Sequence, residues 1–394
     1  MVNDGTVNSA ADTVTITAVG VTYWDTTEIP ITPYLFSGAE IVTMPSIPVV
    51  SAAIGYVLQG TNTNIKVIDH GEILISGGNP VYITLPGGSF TNPEDAVPLS
   101  FNQINNDNSI GILFDNETTS LFFPNDGSVQ SLPAGSYQVP IATYNAAGNA
   151  FEADTIDLRI FYKTETPTQT TMTLNVFVVA GVGGITTAAG ALADAEIQGA
   201  LDVLRNVYER NPNTALDVVI DVDVVPNSAF AVLETIVERD ALFSGYPTSP
   251  THDAMNIFIV SSLDYLPVGI IGVASRVPGP FNRQGTIQSG TVAEYQDDGG
   301  VGTILGFILA HEFGHYMGLY HTSQTNMTQD GIIGQDPIAD TPVCTAAEIG
   351  MPGGIDNCPD RTNLMFPIVD NESDPPITRQ QGTVIRLNPA VRLP

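Results

Sequence analysis

The chain of 394 residues is long for a single hydrophobic core, and at about 150 residues per domain it predicts two or three domains. Its 12 basic side chains are outnumbered by 42 acidic ones, which gives a formal net charge of −30. We expect no nucleic-acid or membrane-surface partner, because such a surface repels phosphate backbones and anionic lipid. The negative charge is compatible with bound cations, calcium among them. It is equally compatible with a secreted protein whose acidic surface serves only to keep it soluble.

The sequence also bears on where the protein works. No stretch approaches the roughly 20 continuous apolar residues of a membrane span. The N-terminus, MVNDGTVNSAADTVTITAVG, is polar and lacks the basic-then-apolar layout of a signal peptide. We expect a secreted or cell-surface protein whose sequence, if it is exported, is the mature part with an added Met.

Residues 1–165 predict an all-β domain, either a sandwich or a jelly roll. Apolar or alternating runs such as TVTITAVGVTYW, NIKVIDHGEILI and YQVPIATY are separated by clusters of Gly, Pro, Asn and Asp. Seven or more such strands without a long helical period are typical of these folds. The Thr- and Pro-rich residues 166–171 predict a linker to the next domain.

Residues 172–394 predict an α/β domain with a mixed, twisted sheet, because apolar strands alternate with segments of helical period. The expected elements are a strand at 171–180, a helix at 188–211, a strand at 215–225, a helix at 229–242, a strand at 254–260, an edge strand at 285–295 and an apolar helix at 300–321. The chain after His321 is rich in Pro and Gly and predicts mostly loop. We divide the domain into an upper part, 172–318, and a lower part, 319–394.

The segment HEFGHYMGLYH, residues 311–321, holds three of the five histidines. His311 and His315 are four residues apart, so their imidazoles lie on one face of a helix and can reach one Zn²⁺. Glu312 is rotated by about 100° from His311, too far to share its ligand direction, but it can still lie beside a metal-bound water, where a general base belongs. The alternative reading of such a motif is two surface histidines on a helix.

His321 requires a turn to join this site. In an unbroken helix it would lie about 15 Å from His311, too far to share a metal. The helix must therefore end, and Gly318 is placed to end it because glycine adopts the left-handed conformation at little cost. Three imidazoles with an open fourth position predict a catalytic rather than a structural zinc site.

The pattern formed by His311, Glu312, His315, Gly318 and His321, followed by Met365 in NLMFP as a Met-turn, resembles the metzincin zinc metalloproteases. Within them, HEFGHYMGLYHT, GQDPIADTP, DNCPD and the closing segment ITRQQGTVIRLNPAV are similar to the pappalysin family or a sister family of bacterial secreted metzincins. The resemblance implies an α/β zinc protease domain with an active-site helix, a loop-rich C-terminal subdomain, and Met365 as an apolar floor under the zinc ligands.

The chain departs from the pappalysin pattern two residues after Met365. Pappalysins usually carry a tyrosine there, which leans towards the zinc, and this chain has Pro367. Tyr316 and Tyr320 lie near the motif, and we assign neither of them the role. A cysteine switch for latency would need an upstream cysteine, and none precedes Cys344.

Two further features concern the loops after His321. The resemblance implies a calcium site with Asp330, Asp336 and Asp340 as oxygen donors, and the alternative is three carboxylates on a solvated loop. Cys344 and Cys358, the only cysteines, predict a disulfide in an oxidising compartment, with two buried free thiols as the alternative.

Together these features predict a secreted zinc-dependent endopeptidase in which Glu312 is the general base and a protein or peptide is the substrate. One alternative is a surface adhesin or binding protein, whose N-terminal domain holds a glycan or protein ligand and whose protease-like domain is inactive or only self-processing. Another is a peptidase restricted to its own maturation or to a single partner. Autolysis that a zinc chelator suppresses would separate the enzyme from the adhesin.

Overall fold

The computed structural model describes the greater part of the second half of the chain and separate strands of the first half. The described residues are 21–23, 26–36, 39–43, 55–61, 67–70, 74–75, 112–114, 118–123, 127, 137–144, 154–163, 170–246, 254–275, 277–280, 284–329, 332–336, 338–368 and 375–391. The chain forms two compact units, of which one comprises residues 1–121 and 130–165 and the other residues 122–129 and 166–394. The short segment 122–129 thus belongs to the second unit.

The described residues of the first unit are β-strands. Their bounds are Val21–Tyr23 (β1), Thr26–Phe36 (β2), Ala39–Thr43 (β3), Gly55–Thr61 (β4), Val67–His70 (β5), Leu74–Ile75 (β6), Ile112–Phe114 (β7), Thr118–Phe123 (β8), Tyr137–Tyr144 (β9) and Asp154–Lys163 (β10). One sheet has the order β1-β2-β10-β4-β8, and the other has the order β3-β9-β5-β7, with β6 also paired to β9. How the two sheets pack lies outside the described residues, so the sandwich stays a prediction.

The second unit is built on a mixed sheet of five strands. Their bounds are Thr170–Val179 (β11), Leu216–Val225 (β12), Met255–Val260 (β13), Gly272–Ala274 (β14) and Thr291–Glu294 (β15), and their order is β12-β11-β13-β15-β14. Four strands are parallel, and β14 pairs antiparallel to β15. Successive side chains of a strand point to opposite faces, and all six residues of β13 are buried, so the sheet is covered on both faces. The predicted α/β domain with a mixed sheet is confirmed.

The predicted edge strand is wrong in its position. The segment 285–295 contributes β15, which pairs with both β13 and β14 and so lies inside the sheet. The edge strand is β14 instead. It has only three residues, GVA, and a run that short carries no alternating pattern from which a strand can be predicted.

Helices and a hairpin complete the second unit. The α-helices are Ala188–Ala193 (α1), Ala195–Arg205 (α2), Ile236–Gly245 (α3), Thr303–Tyr316 (α4), Ala346–Ile349 (α5) and Arg379–Leu387 (α6). The other elements are a π-helix over Asn206–Arg210, 3₁₀ turns at Val182–Gly184, Ser228–Ala231 and Gly354–Asn357, and a hairpin of Ser323–Gln329 (β16) and Ile332–Gln335 (β17). The hairpin and two short helices interrupt the chain after His321, which was predicted to be mostly loop.

Capping side chains move two predicted helix boundaries. The expected helix over 188–211 is broken at Asp194, whose extended backbone ends α1 and whose carboxylate accepts the Ile197 N–H to begin α2. The expected helix over 229–242 begins only at Ile236, because Thr235 and Glu238 form a capping box there. Local side-chain hydrogen bonds thus outweigh the apolar spacing at both sites.

Helices α2 and α4 approach each other through glycines. A Cβ at Gly306 of α4 would lie 2.5 Å from Val203 Cβ and 2.7 Å from Ala200 O of α2. A Cβ at Gly199 of α2 would lie 2.1 Å from Val301 O. The absence of side chains at these positions lets the two helix backbones touch, which sets the position of α4 over the sheet.

We predict that Gly306→Ala lowers the free energy of unfolding by about 1–3 kcal/mol, because overpacking outweighs the better helix propensity of alanine. Gly245→Ala is the matched control, since a Cβ there meets nothing within 4 Å. Thermal unfolding of both variants checks this. An equal or higher melting temperature for Gly306→Ala than for Gly245→Ala would contradict the close packing of α2 and α4.

Candidate metal centre

The three histidines of residues 311–321 come from the end of α4 and the turn that follows it. His311 and His315 are on the last two turns of the helix. The helix then closes in a Schellman motif, in which Gly318 N–H donates to His315 O and Leu319 N–H donates to Gly314 O. Gly318 has φ 107°, a conformation that side chains other than glycine rarely adopt. The chain reverses at this glycine and returns His321 to the helix.

The Nε2 atoms of the three rings converge on one point. His321 Nε2 lies 3.2 Å from His311 Nε2 and 3.0 Å from His315 Nε2. For Zn–N bonds of about 2.0–2.1 Å at tetrahedral angles, two ligand nitrogens are about 3.3 Å apart. Among the described residues, these three histidines form a group whose donor atoms all lie within 4.8 Å of one another. The spacing therefore fits one shared Zn²⁺.

The tautomers of two rings follow from their backbone partners. His311 Nδ1 lies 2.6 Å from Leu364 O, and His315 Nδ1 lies 2.7 Å from Leu319 O. A carbonyl oxygen only accepts, so each Nδ1 carries the proton and donates it. The Nε2 lone pairs are consequently free and directed at the shared point, which is the arrangement that a metal ligand needs.

Burial keeps these imidazoles neutral. Desolvation lowers the pKa of His311 to about 4, and it outweighs the hydrogen bond to Leu364 O, which raises the pKa. It lowers the pKa of His315 well below its usual value, and His321 and His311 lower it further. Because only the neutral ring has a lone pair to give, the low pKa values favour metal binding at neutral pH.

Glu312 lies on α4 beside the edge strand β14. Its carboxylate accepts a hydrogen bond from the Ala274 backbone N–H, and burial raises its pKa to about 8. Gly272 leaves the room for it, since a Cβ at that position would lie 2.8 Å from Glu312 Cγ and Oε1. A dication at the histidines would lower the pKa of this carboxyl, and the group could then accept a proton from water near neutral pH.

Met365 lies under the histidine-bearing helix. It is fully buried, and a Cβ at Gly314 would lie 2.5 Å from its Sδ atom. Its carbonyl accepts the Thr322 N–H at 3.0 Å, which ties the residue after His321 to this turn. The structure thus places Met365 against Gly314, the residue before His315, and next to the segment that follows His321.

The two tyrosines near the motif are turned away to a neighbouring loop. Tyr316 Oη donates to Pro280 O at 3.0 Å, and Tyr320 Oη donates to Val277 O at 3.3 Å. Gly279 lies against the Tyr316 ring, so these side chains hold the 277–280 loop on the end of α4. Both tyrosine hydroxyls are thus bound to backbone carbonyls of this loop.

The three aspartates of the predicted calcium site have different surroundings. Asp336 is buried, and burial raises its pKa well above the usual value, with Asp360 and Asp340 adding to the effect. One of its oxygens accepts from Thr341 Oγ1 and Ile338 N, and the other has no hydrogen-bond partner among the described residues. Asp340 is exposed, and its carboxylate accepts the Gln380 N–H at the start of α6. Asp330 lies outside the described residues.

Cys344 and Cys358 form a disulfide, as predicted, with 14 residues of sequence separation. Both are buried in a cluster with Phe366, which follows Met365 directly. The crosslink therefore closes the loop between the hairpin and the turn at Met365, and it packs that loop against the turn.

Three groups at the site were not predicted from the sequence. They are the carbonyls of Leu364 and Leu319, which orient two histidines, and the N–H of Ala274, which holds Glu312. All three are backbone groups. Residue identity carries no signal for them, and only the fold places them.

Comparison with known proteins identifies relatives of this chain. No family model matches it. It is 28% identical over 206 residues to an extracellular metalloprotease of Pyricularia oryzae and 27% identical over 205 residues to one of Sordaria macrospora. The chain is a homologue of extracellular metalloproteases. Each match covers 50% of this chain and 65% of the relative, so the chain spans less than two thirds of these metalloproteases.

The metalloprotease resemblance predicted from residues 311–321 is thereby confirmed. Among solved structures, mature mirolysin of Tannerella forsythia in complex with a cleaved peptide aligns with a TM-score of 0.40 and 18% identity, over 56% of this chain and 91% of mirolysin. In the described part of this metalloprotease homologue, no helix is long and apolar enough to cross a membrane.

We predict that replacing both cysteines, Cys344→Ser with Cys358→Ser, lowers the free energy of unfolding by about 3 kcal/mol, because the open chain gains loop entropy when it unfolds. Guanidinium unfolding measures the change as a lower midpoint. Reductant should shift the midpoint of the wild type and leave that of the double variant unchanged. Equal midpoints for the two proteins under oxidising conditions would contradict a stabilising crosslink.

Proposed function

We propose that this metalloprotease homologue is a secreted zinc-dependent endopeptidase of the metzincin type, from the pappalysins or a sister family. One observation carries the proposal, namely the convergence of the Nε2 atoms of His311, His315 and His321 beside the buried carboxyl of Glu312. The extracellular relatives support a secreted location. A structural zinc site would need a fourth protein ligand, and no such residue joins the three histidines in the part of the chain that the structure describes.

His311, His315 and His321 would hold the zinc, each through Nε2. Bound Zn²⁺ supplies a Lewis acid, which polarises the scissile carbonyl and makes water a nucleophile near neutral pH. Glu312 takes a proton from that water and then delivers it to the leaving amine. The Ala274 N–H, which donates to the Glu312 carboxylate in the structure, would keep this side chain in place for both transfers. Met365 keeps water away from the underside of the ligands.

The surroundings of Glu312 favour an extended peptide as the substrate. Within the described part of the chain, β14 pairs with β15 alone, so its other edge pairs with no strand, and on that edge the Ala274 N–H is bound by Glu312. An extended segment can pair with such an edge through main-chain hydrogen bonds. This contact requires no particular side chain, and it suits protein and peptide substrates alike.

The remaining predictions belong to the same proposal. Residues 1–165 would form a β-sandwich accessory domain with a glycan or protein ligand, and residues 172–394 the catalytic domain with its upper part 172–318 and lower part 319–394. Residues 166–171 would be the linker, of which the last two, Thr170 and Thr171, already belong to β11. A calcium ion would neutralise the buried carboxylate of Asp336, whose second oxygen has no hydrogen-bond partner in the described structure.

We predict that Glu312→Ala lowers the rate of peptide cleavage by about 100- to 10,000-fold, because the general base is lost and the zinc ligands are not. A mixed peptide library is digested with wild type and variant side by side, and cleavage sites are read by mass spectrometry. Zinc content is measured on the same preparations and should be equal in the two proteins.

Cuts made only by the wild type would support the endopeptidase and give its specificity. Cleavage by Glu312→Ala at the wild-type rate would overturn the role of Glu312. An absence of cuts from either zinc-loaded protein would favour the adhesin, or a peptidase restricted to its own maturation or to one partner.

We also predict that His321→Ala loses zinc on dialysis and loses activity with it, because two helix ligands alone bind the ion weakly. His70→Ala, which changes a histidine outside residues 311–321, should retain both. A zinc chelator should inactivate the wild type, and added zinc should restore it. Unchanged zinc content in His321→Ala would show that the ion is held elsewhere.

A further inference from the structure

Helix α6, at the end of the described chain, binds three segments around the metal centre through amide side chains. Gln380 Oε1 accepts the Asp340 N–H at 2.9 Å. Gln381 pairs with Asn363, two residues before Met365. Asn388, just after the helix, donates from Nδ2 to Met317 O at the end of α4. One short helix thus contacts the loop after His321, the Met-turn and the helix that carries His311.

The Gln381–Asn363 contact is a reciprocal amide pair. Asn363 Nδ2 donates to Gln381 Oε1, and Gln381 Nε2 donates to Asn363 Oδ1, each at 3.0 Å. Gln381 is fully buried and Asn363 is 4% exposed. Gln381 Oε1 also accepts the Thr378 N–H at 2.9 Å as part of the capping box of α6. Because every polar atom of the two amides has a partner, the pair has one favoured arrangement.

This pair reaches the metal centre through the backbone. Asn363 Oδ1 accepts the Met365 N–H at 2.9 Å, and the Leu364 N–H donates to Pro376 O at 3.1 Å. The position of Leu364 is therefore fixed by the hydrogen bond between its two neighbours, Asn363 and Met365, and by the hydrogen bond of its own N–H. Its carbonyl is the group that accepts the proton of His311 Nδ1.

We propose that Gln381 is a positioning residue for the metal centre, which acts through Asn363 and the Leu364 carbonyl to orient the imidazole of His311. The proposal rests on the zinc site proposed above. Gln381 contacts neither the metal nor the substrate. Partners that orient metal-binding imidazoles typically change metal affinity or activity about 10- to 100-fold when they are replaced.

The test is Gln381→Glu. The new carboxylate still accepts the Thr378 N–H, so the capping box remains. It has no N–H to give Asn363 Oδ1, and two acceptors would face each other at the former 3.0 Å contact. If Asn363 rotates its amide to relieve this, its Nδ2 faces the Met365 N–H instead. Either way the turn at Met365 loses a hydrogen bond.

Gln380→Glu is the matched control, because it makes the same chemical change one residue earlier. Its carboxylate can still accept the Asp340 N–H, and that contact does not involve the Met-turn. Both variants replace an amide with a carboxyl group at the start of α6, at a fully buried position in Gln381→Glu and at a half-buried one in Gln380→Glu. A difference between them therefore reports the buried contact with Asn363 rather than helix capping or a charge near the surface of α6.

The main readout is the rate at which zinc passes from the full-length protein to a chromogenic chelator. We expect Gln381→Glu to release zinc about 10-fold faster than the wild type, and Gln380→Glu to match the wild type. The absorption spectrum of the Co²⁺-loaded protein should change in Gln381→Glu only. Melting temperatures of the metal-free proteins show how much of any effect is general destabilisation.

Zinc release from Gln381→Glu at the wild-type rate, with a lowered melting temperature, would overturn the proposal and leave the pair with a structural role. If Gln381→Glu does not fold, Asn363→Asp serves instead, since it keeps the acceptor for Met365 and removes the donor to Gln381. Failure of both variants to fold would also assign the pair to structure alone. A wild type that binds no zinc would refute the proposed function itself, and activity on peptides is not needed to tell the two failures apart.

Discussion

Three imidazoles can share one dication only if a lone pair of each ring faces the same point. Much of the second unit serves to keep the three rings in that orientation. Two of the rings have Nδ1 committed to a carbonyl, which leaves Nε2 available. One of those carbonyls, Leu319 O, belongs to the turn that brings His321 back. The other, Leu364 O, lies 53 residues from its histidine in sequence. The site therefore depends both on the chain reversal at Gly318 and Leu319 and on the loop that contains Leu364.

Burial of the histidines and Glu312 has an electrostatic cost, and hydrogen bonds to backbone groups offset it. Glu312 would be costly to ionise in a dry pocket, and the Ala274 N–H is its partner there. At the other end of α4, Asp298 accepts the N–H groups of residues 301–304 at 2.8–3.3 Å, which satisfies the first turn of the helix. The histidines are at the opposite end, where the helix dipole is negative and favours a cation.

The sequence predicts the features that depend on residue type and spacing, and it does not predict those that depend on backbone groups and local caps. The strands at β11, β12 and β13, the apolar helix α4 and the convergence expected of His311, His315 and His321 all follow from residue type and spacing. The three-residue strand β14 does not, because it is too short to show a period, and yet it supports Glu312. Asp194 and Thr235 changed helix boundaries through side-chain caps that hydrophobic spacing does not reveal. The carbonyl of Leu364 is invisible in the sequence, since every residue has one.

The spacing of the donor groups also has a consequence for the order in which the centre forms. All three of the proposed metal-binding imidazoles fall within residues 311–321, so the loop that joins them is short and costs little entropy to close. Their orientation, by contrast, is completed by residues that are synthesised later, from Leu364 to helix α6. A nascent chain could thus bind the metal early and with low affinity, and the affinity would rise only when helix α6 packs against the rest of the unit. Under the proposed function, the three ligands would thus come together before the segments that orient them are in place.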